Sequence, residues 1–276
     1  MKWISSLSSI APFIILPFAR SAPVFQAQGE SISSRCINSE MRQEWFIADC
    51  LTGEDATTRI KSAVNIRDKV VNNNGTLLFD STGGGYARSC EKCALSNLSV
   101  LTCTCRLAWS GGKWDTTPRV TSLNLESRIS VYNGHLLSNT STSNPTPPTT
   151  PSKYPIPSSF EYGWDGNATC PDSNTDDWCH SISSRCPAST ALNDFIFRDI
   201  KPVHCYVPRV YMPNHFVFSD LKVVGEGAWR LEGWDNEECK GEPVLRIGAE
   251  ERGICKIGAA AVRAVTVVPE FNGDPW

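Results

Sequence analysis

Residues 64–78 read VNIRDKVVNNNGTLL, and residues 123–137 read LNLESRISVYNGHLL. Aligned on Asn74-Gly75 and Asn133-Gly134, the two stretches match without a gap at an offset of 59. An apolar residue, Asn, an apolar residue, a basic residue at 69 and 128, an apolar residue, and Asn-Gly-x-Leu-Leu coincide. Self-similarity at a fixed offset means two copies of one supersecondary unit. Asn-Gly tolerates the left-handed backbone that a type I′ turn needs, and here it sits between apolar runs, which is the signature of a β-hairpin. Upstream of each copy lies a cysteine pair: Cys36 and Cys50, 14 apart, then Cys90 and Cys105, 15 apart. Each half therefore reads as a cysteine pair followed by an Asn-Gly hairpin.

Residues 98–107 (LSVLTCTCRL) alternate as a strand does. Side chains two apart share a face, so Cys103 and Cys105 point the same way, and a facing strand holding Cys90 and Cys93 can accept both. The expected bridges are Cys36–Cys50, Cys90–Cys105 and Cys93–Cys103. Each closes a loop contributing roughly 3 kcal/mol by the chain-entropy model. Zinc is the alternative for Cys90, Cys93, Cys103 and Cys105, but Cys-x-Cys is an awkward ligand spacing, and no metal is expected.

These features together resemble the cyanovirin-N homology family. The resemblance is carried by Cys36, Cys50, Val64-Asn-Ile66, Asn74-Gly75-Thr-Leu77, Cys90, Leu98 to Cys105, Leu123-Asn-Leu125 and Asn133-Gly134-His-Leu136, over about residues 30–138. It implies a pseudo-twofold β protein with strands exchanged between halves, and lectin activity toward mannose-rich or related glycans. Some members swap halves between chains, so a domain-swapped homodimer is an expected assembly. The extra Cys93 and Cys103 depart from the founding pattern of two disulfides. Carried over position by position, one pocket uses Arg35, Thr52 and Asn133; its neighbours Leu51 and Gly53 offer a sugar no side-chain hydrogen bond. The other uses Asn72, Asn73, Asn74, Arg88, Ser89 and Arg106, and Trp109 and Trp114 stand in an insertion beside it. Asn-rich turns also occur simply as turns.

Outward from this unit, residues 139–158 (NTSTSNPTPPTTPSKYPIPS) hold six Pro, five Thr and four Ser. Such a stretch favours extended backbone and reads as an interdomain linker suited to O-glycosylation. Six cysteines precede it (Cys36, Cys50, Cys90, Cys93, Cys103, Cys105) and six follow (Cys170, Cys179, Cys186, Cys205, Cys239, Cys255). Residues 22–138 carry 12 basic and 11 acidic side chains, and residues 159–276 carry 11 basic and 18 acidic. The simplest picture is two differently charged modules on one tether: 22–138 and an acidic, cysteine-containing module at 159–276. The second module shows short strands at 215–218, 221–224, 228–231, 244–247 and 262–268 between turn residues, and a cysteine-bound loop region from Cys170 to Cys186. The expected class is therefore all-β throughout, with the family of 159–276 unassigned.

Asp172-Ser-Asn-Thr-Asp176-Asp177 resembles the start of a calcium loop, but Asp177 replaces its glycine and Ser183 its closing carboxylate. A solvated acidic loop is the expected reading. Lys2, the apolar residues 10–18 and Ala19-Arg20-Ser21 form a signal peptide at 1–21, too short to span a bilayer. Four sequons begin at Asn74, Asn97, Asn139 and Asn167, which are expected to carry N-glycans. A net charge of −3 argues against a nucleic-acid partner, which needs a basic surface. No nucleophile elbow, phosphate loop or zinc-protease motif occurs.

The expectation is a secreted or cell-wall-associated, non-catalytic lectin whose partners are glycans, with no cofactor and no membrane span. The alternatives are a secreted structural or protein-interaction module with degenerate pockets, and an extracellular hydrolase carried by residues 159–276.

Overall fold

The structure is a computed structural model. It describes residues 29–53, 57–80, 83–107, 109–110, 113–114, 118–139, 145–167, 195–207, 218–225, 227–254 and 256–275. The expected signal peptide, the Cys170–Cys186 region, the acidic loop at 172–183 and the strand residues 215–217 lie outside these.

The chain is all-β. The first half begins with one helical turn, α1 (Ile32–Arg35), and continues through β1 (Cys36–Arg42), β2 (Trp45–Leu51), β3 (Arg59–Asn65), β4 (Val70–Asn73) and β5 (Thr76–Phe79). The second half repeats the order: a 3-10 turn at Tyr86–Arg88, then β6 (Cys90–Asn97) and β7 (Val100–Cys105). A small inserted hairpin follows, β8 (Trp109–Ser110) and β9 (Lys113–Trp114). The half closes with β10 (Arg119–Asn124), β11 (Ile129–Tyr132) and β12 (His135–Ser138). β1, β2 and β3 form one antiparallel sheet and β6, β7 and β10 another; β4–β5 and β11–β12 are hairpins. Both turns are left-handed as the type I′ geometry requires: Asn74 and Gly75 have φ 50° and 80°, Asn133 and Gly134 φ 51° and 84°.

The hairpins are exchanged. β11–β12 packs on β3 and β4–β5 packs on β10. One pair of hydrogen bonds records the symmetry: Leu136 N donates to Ser62 Oγ (2.9 Å), and Leu77 N to Thr121 Oγ1 (3.2 Å). Adding 59 to 62 and 77 gives 121 and 136, so each contact is the other with the halves interchanged.

Three disulfides tie these halves, Cys36–Cys50, Cys90–Cys105 and Cys93–Cys103. The last depends on a bulge. Cys93 lies three positions after Cys90 but Cys105 only two after Cys103, so a regular ladder would put Cys93 on the wrong face. The register shifts between Glu91 and Ala94, where Lys92 has φ 53°, and the extra residue restores Cys93 to the face of Cys103. β1 carries the equivalent irregularity at Asn38, φ 54°, two residues after its own cysteine.

The second module contains two four-stranded antiparallel sheets. One has the order β14–β13–β16–β19, made of β13 (Tyr162–Asn167), β14 (Phe195–Asp199), β16 (Phe218–Gly225) and β19 (Lys256–Val262). The other has the order β15–β20–β17–β18, made of β15 (Val203–Tyr206), β17 (Trp229–Trp234), β18 (Leu245–Ile247) and β20 (Ala264–Pro269). A fourth disulfide, Cys205–Cys239, fastens the turn after β17 to β15.

The sequence reading pictured modules held apart on an extended tether; the structure packs them together. β2 is buried on both faces. Phe46, Ala48 and Cys50 enter the core of the first module, while Trp45 and Ile47 enter a core shared with Phe160, Trp229, Leu231 and Phe271. Residues 152–160 run along this seam rather than through solvent: Arg42 Nη1 donates to Pro157 O (2.7 Å), Phe160 N to Gln43 Oε1 (2.7 Å) and Ser152 N to Asn272 Oδ1 (2.6 Å). The tail then covers the free edge of β3: Ala63 N donates to Asn272 O and Asp274 N to Ala63 O, each 2.8 Å. Beneath it Asp274, 1% exposed, accepts from Ser138 N (3.1 Å) and pairs with buried Lys69 (3.6 Å).

One histidine is caught in this seam. Burial lowers the pKa of His135, which is 3% exposed. A folded-state pKa below the ordinary value of about 6.5 means that folding favours the neutral imidazole. The stability this contributes is complete above that value and is lost as pH falls toward and through the folded pKa. Thermal melts between pH 7 and pH 5 are therefore expected to show a fall in Tm, with a shallower slope in His135→Leu; equal slopes would refute the contribution.

Candidate functional site

The symmetry of the first module produces two polar clusters, one at each Asn-Gly hairpin. At the first, Asn72 on β4 is the organiser. Its Nδ2 donates to Ser89 Oγ (2.9 Å) and Arg106 O (2.8 Å), and its Oδ1 accepts from Gly75 N (2.8 Å). Arg106 N donates in turn to Ser89 O (2.9 Å). The hairpin tip, the end of the 3-10 turn and the end of β7 are thus clamped together by one carboxamide. Both of its donors are used within the protein, so Asn72 positions the cluster and has little left to offer a ligand.

Around that clamp, Asn73, Asn74, Arg88 and Arg106 are exposed, and Ser89 is half-buried. The guanidinium groups of Arg88 and Arg106 and the carboxamide of Asn73 present donors and an acceptor to solvent around the clamp, with Leu107 against Gly75 at the hairpin tip. Gly75 is favoured there by its φ of 80°; a Cβ would also press on Leu107 Cδ2 at 2.5 Å, which the leucine tip can relieve by rotating. Below the surface Tyr86, 2% exposed, packs into the core, and burial raises its phenol pKa, so it stays neutral. β8–β9 continues from this cluster; the side chains of Trp109 and Trp114 lie outside the described residues.

At the second hairpin the structure brings Arg35, Thr52 and Asn133 together, but their polar atoms are largely engaged. Arg35 donates to Gly53 O, and its Nε lies 2.5 Å from Glu30 Oε2. The Arg35 side chain is only 14% exposed. Thr52 Oγ1 donates to Thr58 O (3.3 Å), and Thr52 Cγ2 would lie 3.1 Å from a Cβ at Gly134. Asn133 alone of the three is exposed. Glu30 occupies the guanidinium that the sequence reading assigned to a ligand. It bridges to Val131 from outside the repeat, and no spacing in the sequence marks it.

Of the sequons, Asn74 sits exposed in a hairpin turn and Asn97 exposed at the end of β6. Asn139 is half-buried, with Oδ1 shielded from solvent and its backbone N donating to Arg128 O (2.7 Å). The side chain of Asn167 lies outside the described residues. Among the described residues no three His, Cys, Asp or Glu groups converge as metal ligands, and no helix is long and apolar enough to cross a membrane.

Residues 31–137 match the family model of the CVNH domain. No curated protein matches the chain. Solved structures similar to part of it include a MoCVNH3 variant (Mo0v) in complex with (N-GlcNAc)4, at 16% identity, 41% of this chain, 99% of that one and TM-score 0.33. The CVNH protein of Gibberella zeae is 18% identical over 39% of this chain and 95% of its own, with TM-score 0.31. Microvirin, solved with mannobiose, is 22% identical over 40% of this chain and 98% of its own, with TM-score 0.31.

Proposed function

Proceeding from a CVNH domain at residues 31–137, we propose that this protein is a secreted, non-catalytic lectin that binds mannose-rich or related glycans at the first hairpin. The observation that supports the reading is the contrast between the two clusters. Around Asn72 the side chains of Asn73, Arg88 and Arg106 remain open to solvent on a clamped backbone, whereas Arg35 is spent on Glu30 and Gly53. A saccharide needs donors and acceptors already fixed in place, because ordering them on binding costs affinity. Disulfides in both modules suit an oxidising compartment. The closure of the second cluster favours an alternative, an interaction module that has kept the fold without the sugar site.

A glycan array probed with the full chain, before and after enzymatic removal of its own N-glycans, separates the two. Binding to a defined class is expected, at least tenfold weaker in Arg106→Ala. That variant leaves the Arg106 carbonyl to Asn72, so its stability should change by no more than about 0.5 kcal/mol. Asn72→Ala should lose binding and also roughly 1–3 kcal/mol of stability, since it strands Gly75 N and the Arg106 carbonyl. Binding that appears only after deglycosylation makes the Asn74 glycan an occluding group. Silence from folded protein in both samples rejects the lectin reading and leaves the interaction module.

A further inference from the structure

A cleft of about 670 Å³ opens where the two modules meet, a ligand-sized volume. The first module contributes His135, the proline-rich segment contributes Ser152 to Tyr154, and β17 and β20 with the tail contribute Arg230, Glu232, Trp234, Glu270 and Phe271. We propose that this cleft is a second ligand site, built jointly by both modules, and that it takes a neutral oligosaccharide. The proposal goes beyond the hairpin lectin site and does not depend on it.

Three observations carry it. First, the walls are held before any ligand arrives. Arg230 Nε lies 3.1 Å from Glu232 Oε1 and its Nη1 3.7 Å from Glu270 Oε1, while Glu270 Oε2 accepts from Ala249 N (2.8 Å). The Trp234 indole donates to Thr266 Oγ1 (2.9 Å), which donates to His204 O (2.8 Å). Ser152 donates to Glu270 O, and Tyr154 bridges to Phe271, which fixes the outer wall. Preorganised groups of this kind reduce the ordering cost of binding.

Second, the charged groups that line the cleft are already paired. Arg230 pairs with Glu232 and Glu270, and Lys153 with Glu250 just outside, so no lone charge selects an anion or a cation. The guanidinium donates and the carboxylates accept, and a hydroxyl does both, so a polyhydroxylated neutral ligand matches the wall. Tyr154, half-buried, supplies a ring beside them for the C–H face of a sugar, backed by the buried rings of Trp234 and Phe271. An added peptide strand is disfavoured, because β17 and β20 are the inner strands of their sheet and their backbone groups are already paired.

Third, His135, 3% exposed, borders the cleft, and its Nε2 has no hydrogen-bond partner among the described residues. It is one of seven buried side-chain nitrogen or oxygen atoms without a hydrogen-bond partner among the described residues, and His135 is the one of those seven residues that borders the cleft. A buried polar atom left unpaired is costly, so a ligand group that reaches it is favoured.

The test is residue-resolved. Backbone ¹H–¹⁵N shifts of the full chain are followed while mannotriose, N-acetylchitotetraose or, as an anionic control, trigalacturonate is added to about 10 mM, high enough to register a millimolar Kd. Saturable shifts with a neutral probe are expected at residues 152–154, 230–234 and 268–272. They should weaken at least tenfold in Arg230→Gln and persist in Arg106→Ala. Shifts confined to residues 72–75, 88–89 and 106 would overturn the cleft proposal while leaving the lectin reading intact. No cleft shift with either neutral probe, or a cleft shift with trigalacturonate alone, would overturn it as well. Should Arg230→Gln misfold, the wild-type shift map decides by itself.

Discussion

Trp45→Ala is expected to destabilise the chain by roughly 3–5 kcal/mol, the range for deleting a fully buried aromatic side chain. Trp45 is 0% exposed and stacks on Phe160 with centroids 4.5 Å apart and an 11° interplanar angle. It also meets Trp229 and Phe271 edge-on at 6.0 and 5.5 Å. Its Nε1 donates to Ile200 O (2.6 Å), so truncation leaves both a cavity and a stranded carbonyl. Because these neighbours belong to the second module, the loss should appear in the unfolding of both modules. Urea denaturation followed by near-ultraviolet circular dichroism would measure it. A loss below about 1 kcal/mol would mean that the shared core is not packed as described.

Gly84→Ala should do comparable damage for a different reason. A Cβ at this position would lie against Arg67 O, and 2.6 Å from both the Asp68 carbonyl carbon and Val70 O. These are backbone atoms and cannot rotate away. Gly84 N also donates to Asp68 O (2.9 Å), and Gly85 N to Arg67 O (2.6 Å), so the loop cannot withdraw without breaking its bonds. Overpacking of this kind costs about 1–3 kcal/mol, or more when backbone must move. The loop leads directly into Arg88 and Ser89, so the variant should also lose glycan binding, unlike an alanine at exposed Gly83, whose Cβ would meet nothing within 4 Å. Gly83 has φ 133°, so that control carries some local strain of its own. Equal Tm values for Gly84→Ala and wild type would refute the close approach.

Much of the first module was legible before any coordinates. The 59-residue offset, the two Asn-Gly turns and the cysteine spacings express short-range constraints: which backbone angles a residue tolerates, and which side chains share a face of a strand. Even the bulge at Lys92 was implicit in the mismatch between a three-residue and a two-residue cysteine spacing. The positions of Asn72, Ser89 and Arg106 in one cluster followed from the family resemblance rather than from any spacing. That Asn72 holds the cluster rather than the ligand did not, because the direction of a carboxamide depends on partners 17 and 34 residues away.

The docking of the modules was the larger surprise, although one signal for it was present. Trp45-Phe-Ile-Ala48 is an unbroken apolar run, which a strand with one solvent face would not carry. The composition of residues 139–158 pointed the other way, toward a free tether, because proline-rich backbone is extended in solution and packed alike.

By itself, then, the sequence determined the all-β character of both modules, the doubled unit and its turns, all of which rest on local sterics and period-two alternation. Only the tertiary structure decided which face of β2 meets the second module, which of the two hairpin clusters stays open, and that His135, Arg230 and Glu270 border one cleft. The physical reason is separation along the chain. His135 and Glu270 stand 135 residues apart, and neither periodicity nor motif spacing carries information over such a distance. Their meeting is settled by the burial of Trp45 and the pairing of the tail with Ala63, which are properties of the folded chain alone.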